Sequence, residues 1–324
     1  MYLGIDISKE SLDCYQILEA KQEHKQFRNT VKGIRSLMNW LKNKDVHTVM
    51  EATGVYWETV AYTLNEEGYK VSVVNPAAIK YFAKSKLRRG KTDKMDAELL
   101  ALYADQEKPK LWQAPSKALN ELKLLVRERD DLVLARTKLK NQAHAHKHRK
   151  DCSKLTFSLL KDRLNLLNKQ IKKLEQAILK LCQTRFQKSF DVLTSVPGIA
   201  LITAAVLIAE TENLEGFLHS KQLTAYAGIA PEPNQSGTRQ GRARISKIGN
   251  PRIRQAMYMA AKQARHKAMF KDFYLRLLSK GKPPKLALVA IARKLLVIAF
   301  ALVQSKQRFD PDFLSKKQTQ KLIP

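Results

Sequence analysis

Four carboxylates in the first hundred residues stand where phosphoryl chemistry would need them. Asp6 lies in GIDIS, inside an otherwise apolar strand pattern, where a lone buried acid is costly. Glu51 ends a second apolar run, just before Thr53-Gly54. Asp93 and Asp96, in KTDKMDA, stand three apart near a helix start and so share one face. Four acids brought together repel unless neutralised. A pair of hard divalent cations with oxygen ligands does this, polarising a phosphodiester and activating the attacking oxygen. Singly, each acid has a plainer reading: Asp6 as a turn cap, Asp93 as a helix N-cap. Just before Asp93, Lys80, Lys84, Lys86, Arg88, Arg89 and Lys91 form a basic stretch, read as a loop suited to a phosphate backbone or simply as a solvated turn.

A second constellation lies far along the chain. Asn234-Gln235-Ser236-Gly237-Thr238-Arg239 continues through Arg242, Arg244, Lys247, Arg252 and Arg254, six basic residues and no acid between Pro233 and Arg254. A serine attacking a phosphodiester would want this company: guanidinium groups steady the transferring phosphoryl group, and small neighbours allow close approach. No His-Asp partner is evident, and an ordinary Ser-Gly turn would read the same way. The turn Val196-Pro197-Gly198-Ile199 lies between helical patterns in the manner of a helix-hairpin-helix, whose amides, Gly198 among them, contact DNA phosphates. An ordinary interhelical turn is the alternative. In HAHKH, His144 and His148 share a helix face without a fixed third ligand, which reads as basic surface. Trp40, Trp57 and Trp112 read as packing residues.

The elements that must position these groups fall into three segments. Residues 1–105 carry sixteen basic and fourteen acidic residues; residues 106–324 carry forty-three and sixteen, so nearly all of the net +29 lies in the second part. With 44% hydrophobic residues the chain folds, and its basic surface favours phosphate-rich partners or anionic membranes. The richest apolar stretch, Leu286 to Val303, is interrupted by Arg293 and Lys294 and fits a core helix. The opening MYLGIDISKE reads as a strand and not as a secretory leader. Cys14, Cys152 and Cys182 have no CxxC spacing, so a cytoplasmic setting is expected.

Residues 1–105 read as α/β: a meander of strands from YLGIDI to KQEHKQFRNT, then alternating helices and strands, with Gly68 closing one helix and Pro76 one strand. Residues 106–186 read as a connector and a helical, coiled-coil-like arm, with Leu155, Leu159, Leu166, Ile171, Leu174, Ile178 and Leu181 in partial heptads. Residues 187–324 read as a mainly helical domain, including long helices over 251–279 and 284–305 divided at Gly281, Pro283 and Pro284.

These motifs together resemble the IS110/IS1111 transposases, insertion-sequence recombinases related to the Piv and MooV group. GIDISK, EATG and KTDKMDA match that family's DEDD pattern, while VPGIA, YAGIAP, QSG, ISKIGN and PRIRQAMYMAA match its C-terminal domain. The resemblance covers nearly the whole chain. It implies a RuvC-like (RNase H-like) N-terminal domain whose Asp6, Glu51, Asp93 and Asp96 bind Mg²⁺, with Mn²⁺ as an alternative. It implies that Ser236 attacks DNA to give a 5′-phosphoserine link, with the two sites combining across subunits through the arm. Arg239, Arg242, Arg244, Lys247, Arg252 and Arg254 would contact nucleic acid. The implied partners are donor and target DNA, a structured noncoding bridge RNA that chooses sites by base pairing, and further copies of the chain, a dimer assembling to a tetramer. No membrane is expected; the setting is the bacterial cytoplasm, at the nucleoid. Two other readings remain at this point: a Holliday-junction-resolving nuclease that uses the carboxylates and water, and a noncatalytic nucleic-acid-binding scaffold.

Overall fold

The computed structural model describes residues 1–18, 21–88, 90, 92–151, 153–232 and 244–312, and the backbone of 235–236 and 239–240. Arg89, Lys91, Cys152, Asn234, Gly237, Thr238 and Arg242, singled out above, lie outside the described residues. The chain divides into two compact units, Met1–Ala114 and Pro115–Pro324.

The first unit is built on one mixed sheet. Strands β1 (Tyr2–Ile7), β2 (Ser11–Ile17) and β3 (Gln22–Arg28) form an antiparallel meander, and β4 (His47–Glu51) and β5 (Lys70–Val74) extend it in parallel. The spatial order is β3-β2-β1-β4-β5. Pleat alternation sends successive side chains to opposite faces. Leu3, Ile5, Leu12 and Met50 meet Ile34, Leu37, Val60 and Leu64 on one face, from helices α1 (Val31–Leu41) and α2 (Trp57–Glu66). Val49 and Val74 meet Ile79, Phe82, Leu99 and Leu100 on the other, from α3 (Pro76–Ser85) and α4 (Asp93–Glu107). Here the structure departs from one expectation. The basic stretch at 80–84 is helix α3, started by the Asn75 side chain capping Ala77 and by Pro76 in the first turn. The connector after α4 lies along β5: the Trp112 amide donates to the Val71 carbonyl (2.7 Å), and the Ser72 hydroxyl donates to Lys110 (2.7 Å). Trp112 stacks edge-on against Trp57 and Tyr62, and Phe27 packs with Trp40, as packing tryptophans should.

The second unit is helical. Helices α5 (Lys117–Lys147) and α6 (Lys154–Arg185) run antiparallel, with the Arg129 guanidinium on Glu175 (2.9 Å) and Arg136 on Asn168 (3.3 Å). Their inner ends, Leu119 to Val126 and Ile178 to Cys182, enter a core shared with the helices that follow. Leu155, Leu159 and Leu166 stay exposed. Helices α7 (Gln187–Ser195), α8 (Leu201–Glu210) and α9 (Ser220–Tyr226) precede four short strands. Those strands are β6 (Pro231–Glu232), β7 (Gln235–Ser236), β8 (Arg239–Gln240) and β9 (Arg244–Ile245). The expected helix over 251–279 is two: α10 (Pro251–Ala264) and α11 (Ala268–Ser279), the chain turning so that Phe270 is wholly buried. Helix α12 (Pro284–Ser305) is long and apolar enough to cross a membrane, yet Ile291, Leu295, Leu296 and Ala299 are buried in the core, which is the reason for its composition.

Candidate active site

The acidic site follows from strand pairing. Asp6 falls on the same face of β1 as Gly4, and Glu51 on the same face of β4 as Val49, so both point to the α3/α4 side. Because Ile5 pairs with Met50 in the parallel ladder, Asp6 and Glu51 come next to each other where the two strands end. Helix α4 then brings its first turn to them. Its N-cap is Thr92, whose hydroxyl accepts from the Met95 amide (3.2 Å); Asp93 has no capping role and stands with Asp96 in the first turn. The helix can approach because β1 carries Gly4. A Cβ at this position would lie 2.0 Å from the Ala97 carbonyl oxygen and 2.4 Å from the Ala101 nitrogen. Small residues one turn apart on α4 thus sit on a bare strand.

A further acid lies in this row. Asp13 on β2 pairs directly opposite Asp6, is 4% exposed, and accepts from Gln26 (3.0 Å) and contacts His24 (3.2 Å) on β3. Burial, then the charges of Asp96, Asp93, Asp13 and Glu51, push the Asp6 carboxyl up to about 6. The Thr53 hydroxyl donates to Glu51. Among the described residues, no three His, Cys, Asp or Glu side chains are grouped closely enough to hold a metal ion. The acids share a field and have not closed into a coordination sphere. Their chemistry suits a hard cation: all donors are carboxylate oxygens, and the charges that act on Asp6 among the described residues are those of other acids.

Gly4 and Asp13 escaped the sequence reading. A glycine inside a strand pattern is the signal for a close backbone approach, and it was there to be read. Asp13 lies two residues into β2 in a mixed polar-apolar run and becomes visible only through its register with Asp6.

Ser236 lies in a hairpin. Residues Gln235 and Ser236 pair with Gln240 and Arg239, and outside them Pro231 and Glu232 pair with Ile245 and Arg244. The backbone thus places Ser236 opposite Arg239. Among the basic candidates, several are engaged within the fold. Arg88 holds Glu98 (2.7 Å) and the Met95 carbonyl (3.2 Å). Arg252 holds Asp130 (3.4 Å), and Arg254 donates to the Ala227 carbonyl (3.0 Å). Lys84, Lys86, Arg244 and Lys247 are exposed. Gly198 has a packing role: at φ +92° it faces α10, where a Cβ would lie 2.6 Å from the Ala260 oxygen. The rings of His144 and His148 lie 4.6 Å apart at the end of α5.

Two family models match the chain. The family model for the IS110-type DEDD transposase matches residues 3–147, and that for the transposases of the IS116/IS110/IS902 family matches residues 190–275. The chain is 33% identical to the pilin gene-inverting protein of Moraxella bovis over 321 residues, covering 95% of this chain and 97% of that protein. It is 25% identical to the transposase for the insertion sequence element IS1111A of Coxiella burnetii, covering 95% of this chain and 90% of that one. Both are DNA-rearranging proteins by name. Four acids on one sheet-and-helix face, followed by a serine hairpin in a helical unit, are what the two family models span, and the chain belongs to the IS110 family of transposases.

Proposed function

We propose that this DNA recombinase cleaves and rejoins strands with two sets of groups: the carboxylates of the first unit, and Ser236 of the second. The observation that carries the reading is the convergence of Asp6, Glu51, Asp93 and Asp96 in one field, strong enough to raise Asp6 to about 6. Such a cluster needs a positive charge beside a polyanion. Asp6, Glu51, Asp93 and Asp96 would hold Mg²⁺, or Mn²⁺ in its place, and a bound divalent ion supplies Lewis-acid polarisation of the scissile phosphate. Asp13, held by Gln26 and His24 opposite Asp6, adds its charge to the same field.

In this reading the Ser236 hydroxyl attacks phosphorus. A serine–phosphate bond forms to the 5′ side, the bond to the 3′ oxygen breaks, and the departing 3′ oxygen takes up a proton. Attack by a free 3′-hydroxyl of another strand reverses the step and releases the serine. Arg239, Arg242 and Arg244 steady the phosphate, and Lys84, Lys86, Arg89, Lys91 and Lys247 hold the backbone. A helix-hairpin-helix role for the turn at Gly198 and a bridge-RNA guide both rest on the resemblance of sequence motifs. The charge of +27 over residues 106–324 suits RNA as well as DNA. Exposed Leu155, Leu159 and Leu166 on the arm suit pairing with another copy of the chain. Residues 1–105 would then form the metal-dependent core, 106–186 the connector and assembly arm, and 187–324 the serine domain. The enzyme would work at the nucleoid.

One trapping assay tests the chemistry, using purified protein, Mg²⁺, element-end DNA and the transcript flanking the gene. Ser236→Ala is expected to lose covalent protein–DNA adducts while keeping nucleic-acid binding. Adducts that persist in that variant would overturn the serine assignment. Hydrolysed ends with no adduct from the unaltered protein would select the water-using nuclease instead.

A further inference from the structure

The last residue of α8 is a buried acid that the proposed chemistry does not use. The Glu210 side chain is 2% exposed, beside a large apolar core. It accepts from Arg127 of α5 through Nε (3.0 Å) and Nη2 (3.2 Å), and from the Asn250 amide (2.8 Å). Burial alone would raise its pKa. The Arg127 guanidinium and the Asn250 amide outweigh burial and hold the carboxyl below its ordinary value.

Asn250 is a foot of the serine hairpin. Its Oδ1 caps α10 by accepting from the Arg252 (2.9 Å) and Ile253 (3.3 Å) amides, and its backbone N–H donates to the Tyr226 carbonyl (2.6 Å). Tyr226 is the other foot. Between them the two strands of the stem are zipped by the Ser246 amide on Ala230 (3.3 Å) and the Lys247 amide on Gly228 (3.2 Å). Gly249, at φ +134°, permits the closest approach, since a Cβ there would lie 2.2 Å from the Tyr226 oxygen. Ser236 belongs to the stretch of sequence between the stem residues Ala230 and Ser246.

The arm helix reaches the same stem twice. Arg127 holds Glu210, and three residues on, Asp130 meets Arg252 in the first turn of α10 (3.4 Å). Asp130 is also bonded to Arg129, which holds Glu175 on α6 (2.9 Å). Alternating charges thus run from both arm helices to the feet of the hairpin. A buried ion pair is a weak source of stability, because well-packed apolar residues of similar size often do as well. What apolar residues do not supply is direction. Glu210 forces the Asn250 amide to turn its NH₂ inward and its oxygen to the helix, the one orientation that caps α10.

We infer that Glu210 is a positioning residue for Ser236, fixing both feet of the serine hairpin to each other and, through Arg127, to the arm. This rests on the reading of Ser236 as the nucleophile. Two variants test it in the full-length protein: Glu210→Gln, and the apolar pair Arg127→Met with Glu210→Leu, which keeps the fold if the conservative change does not. Amide hydrogen exchange at Ser246, Lys247 and Asn250 reads the stem without any chemistry. The rate of adduct formation at saturating DNA reads the nucleophile. Expected in a folded variant with unchanged DNA affinity are faster exchange at these three amides and a loss of about tenfold or more in adduct rate. Unaltered exchange, or adducts at the normal rate, would overturn the inference. Should the unaltered protein form no serine adduct, the nucleophile reading fails by itself, and exchange alone decides whether Glu210 holds the stem.

Discussion

The two candidate reactive regions are held in opposite ways. In the first unit the acids sit on regular elements, and backbone pairing does the positioning: Asp6 and Glu51 end neighbouring strands, and α4 is seated on Gly4. In the second unit Ser236 lies on a two-residue strand between longer segments, and side chains do the positioning, through Arg127, Glu210 and Asn250. The difference matches the two proposed tasks. A metal site demands ligands fixed to a fraction of an ångström, which strands and helices provide. A nucleophile that must bond to DNA and later release it is better carried on a loop with anchored ends.

The largest effect should come from neutralising the acid field. Asp6→Asn is expected to lower strand cleavage about a thousandfold or more while leaving DNA binding intact, as measured by gel assay in Mg²⁺. Cleavage surviving in that variant would remove the first unit from the chemistry. Next is Gly4→Ala, which places a methyl group in the backbone of α4 and is expected to cost about 3 kcal/mol, with loss of cleavage following the loss of stability. A variant of normal melting temperature would show that α4 has slack against the sheet.

Smaller, and opposite in sign between the units, is the response to acid. Asp6 has its pKa raised to about 6 in the fold, so without metal its contribution to stability falls as pH rises from about 4 through 6. Partly exposed, it should cost the folded state about 1–2 kcal/mol at neutral pH once solvent screening is allowed for. Glu210 has its pKa lowered, so its contribution is present above the ordinary glutamate range and is lost as pH falls through the folded value. All three tryptophans lie in the first unit, so their fluorescence follows its unfolding alone. Metal-free protein should show a tryptophan transition that Asp6→Asn raises by a few degrees at neutral pH and leaves unchanged near pH 4. Equal gains at both pH values would assign the cost to packing and not to charge. Least of all, Lys84→Ala with Lys86→Ala should weaken DNA binding a few-fold, equally across sequences, and reduce the salt slope by about one to two.

Much of the first region was legible because strands advertise themselves. An acid placed in an alternating apolar run is conspicuous, and Asp93 and Asp96 follow a threonine that caps a helix. What escaped was whatever depended on tertiary contact. Helix α3 read as a loop because two of its residues and four of those that follow are basic, while its start is set by Asn75 and Pro76. The break at 265–267 has no glycine or proline to announce it and follows from burying Phe270. Arg88 in the first unit, and Arg252 and Arg254 in the second, looked like phosphate ligands by composition, whereas each holds a partner in its own unit. Charge counted along a chain does not tell solvent-facing cations from those spent on internal bonds.

The ribbon of chain after α4 has a consequence for anyone who would cut this protein. Strand β5 ends the sheet, and its outer edge is the kind of open backbone ladder that recruits foreign strands. The amide of Trp112 bonds the Val71 carbonyl of that strand, the carbonyls of Pro109 and Lys110 accept from the Ser72 hydroxyl beside it, and the indole packs edge-on against Trp57 and Tyr62. A fragment ending at 105 would bare both the ladder and the aromatic pair and is expected to aggregate. One ending at 114 would keep its border sealed and stay monodisperse.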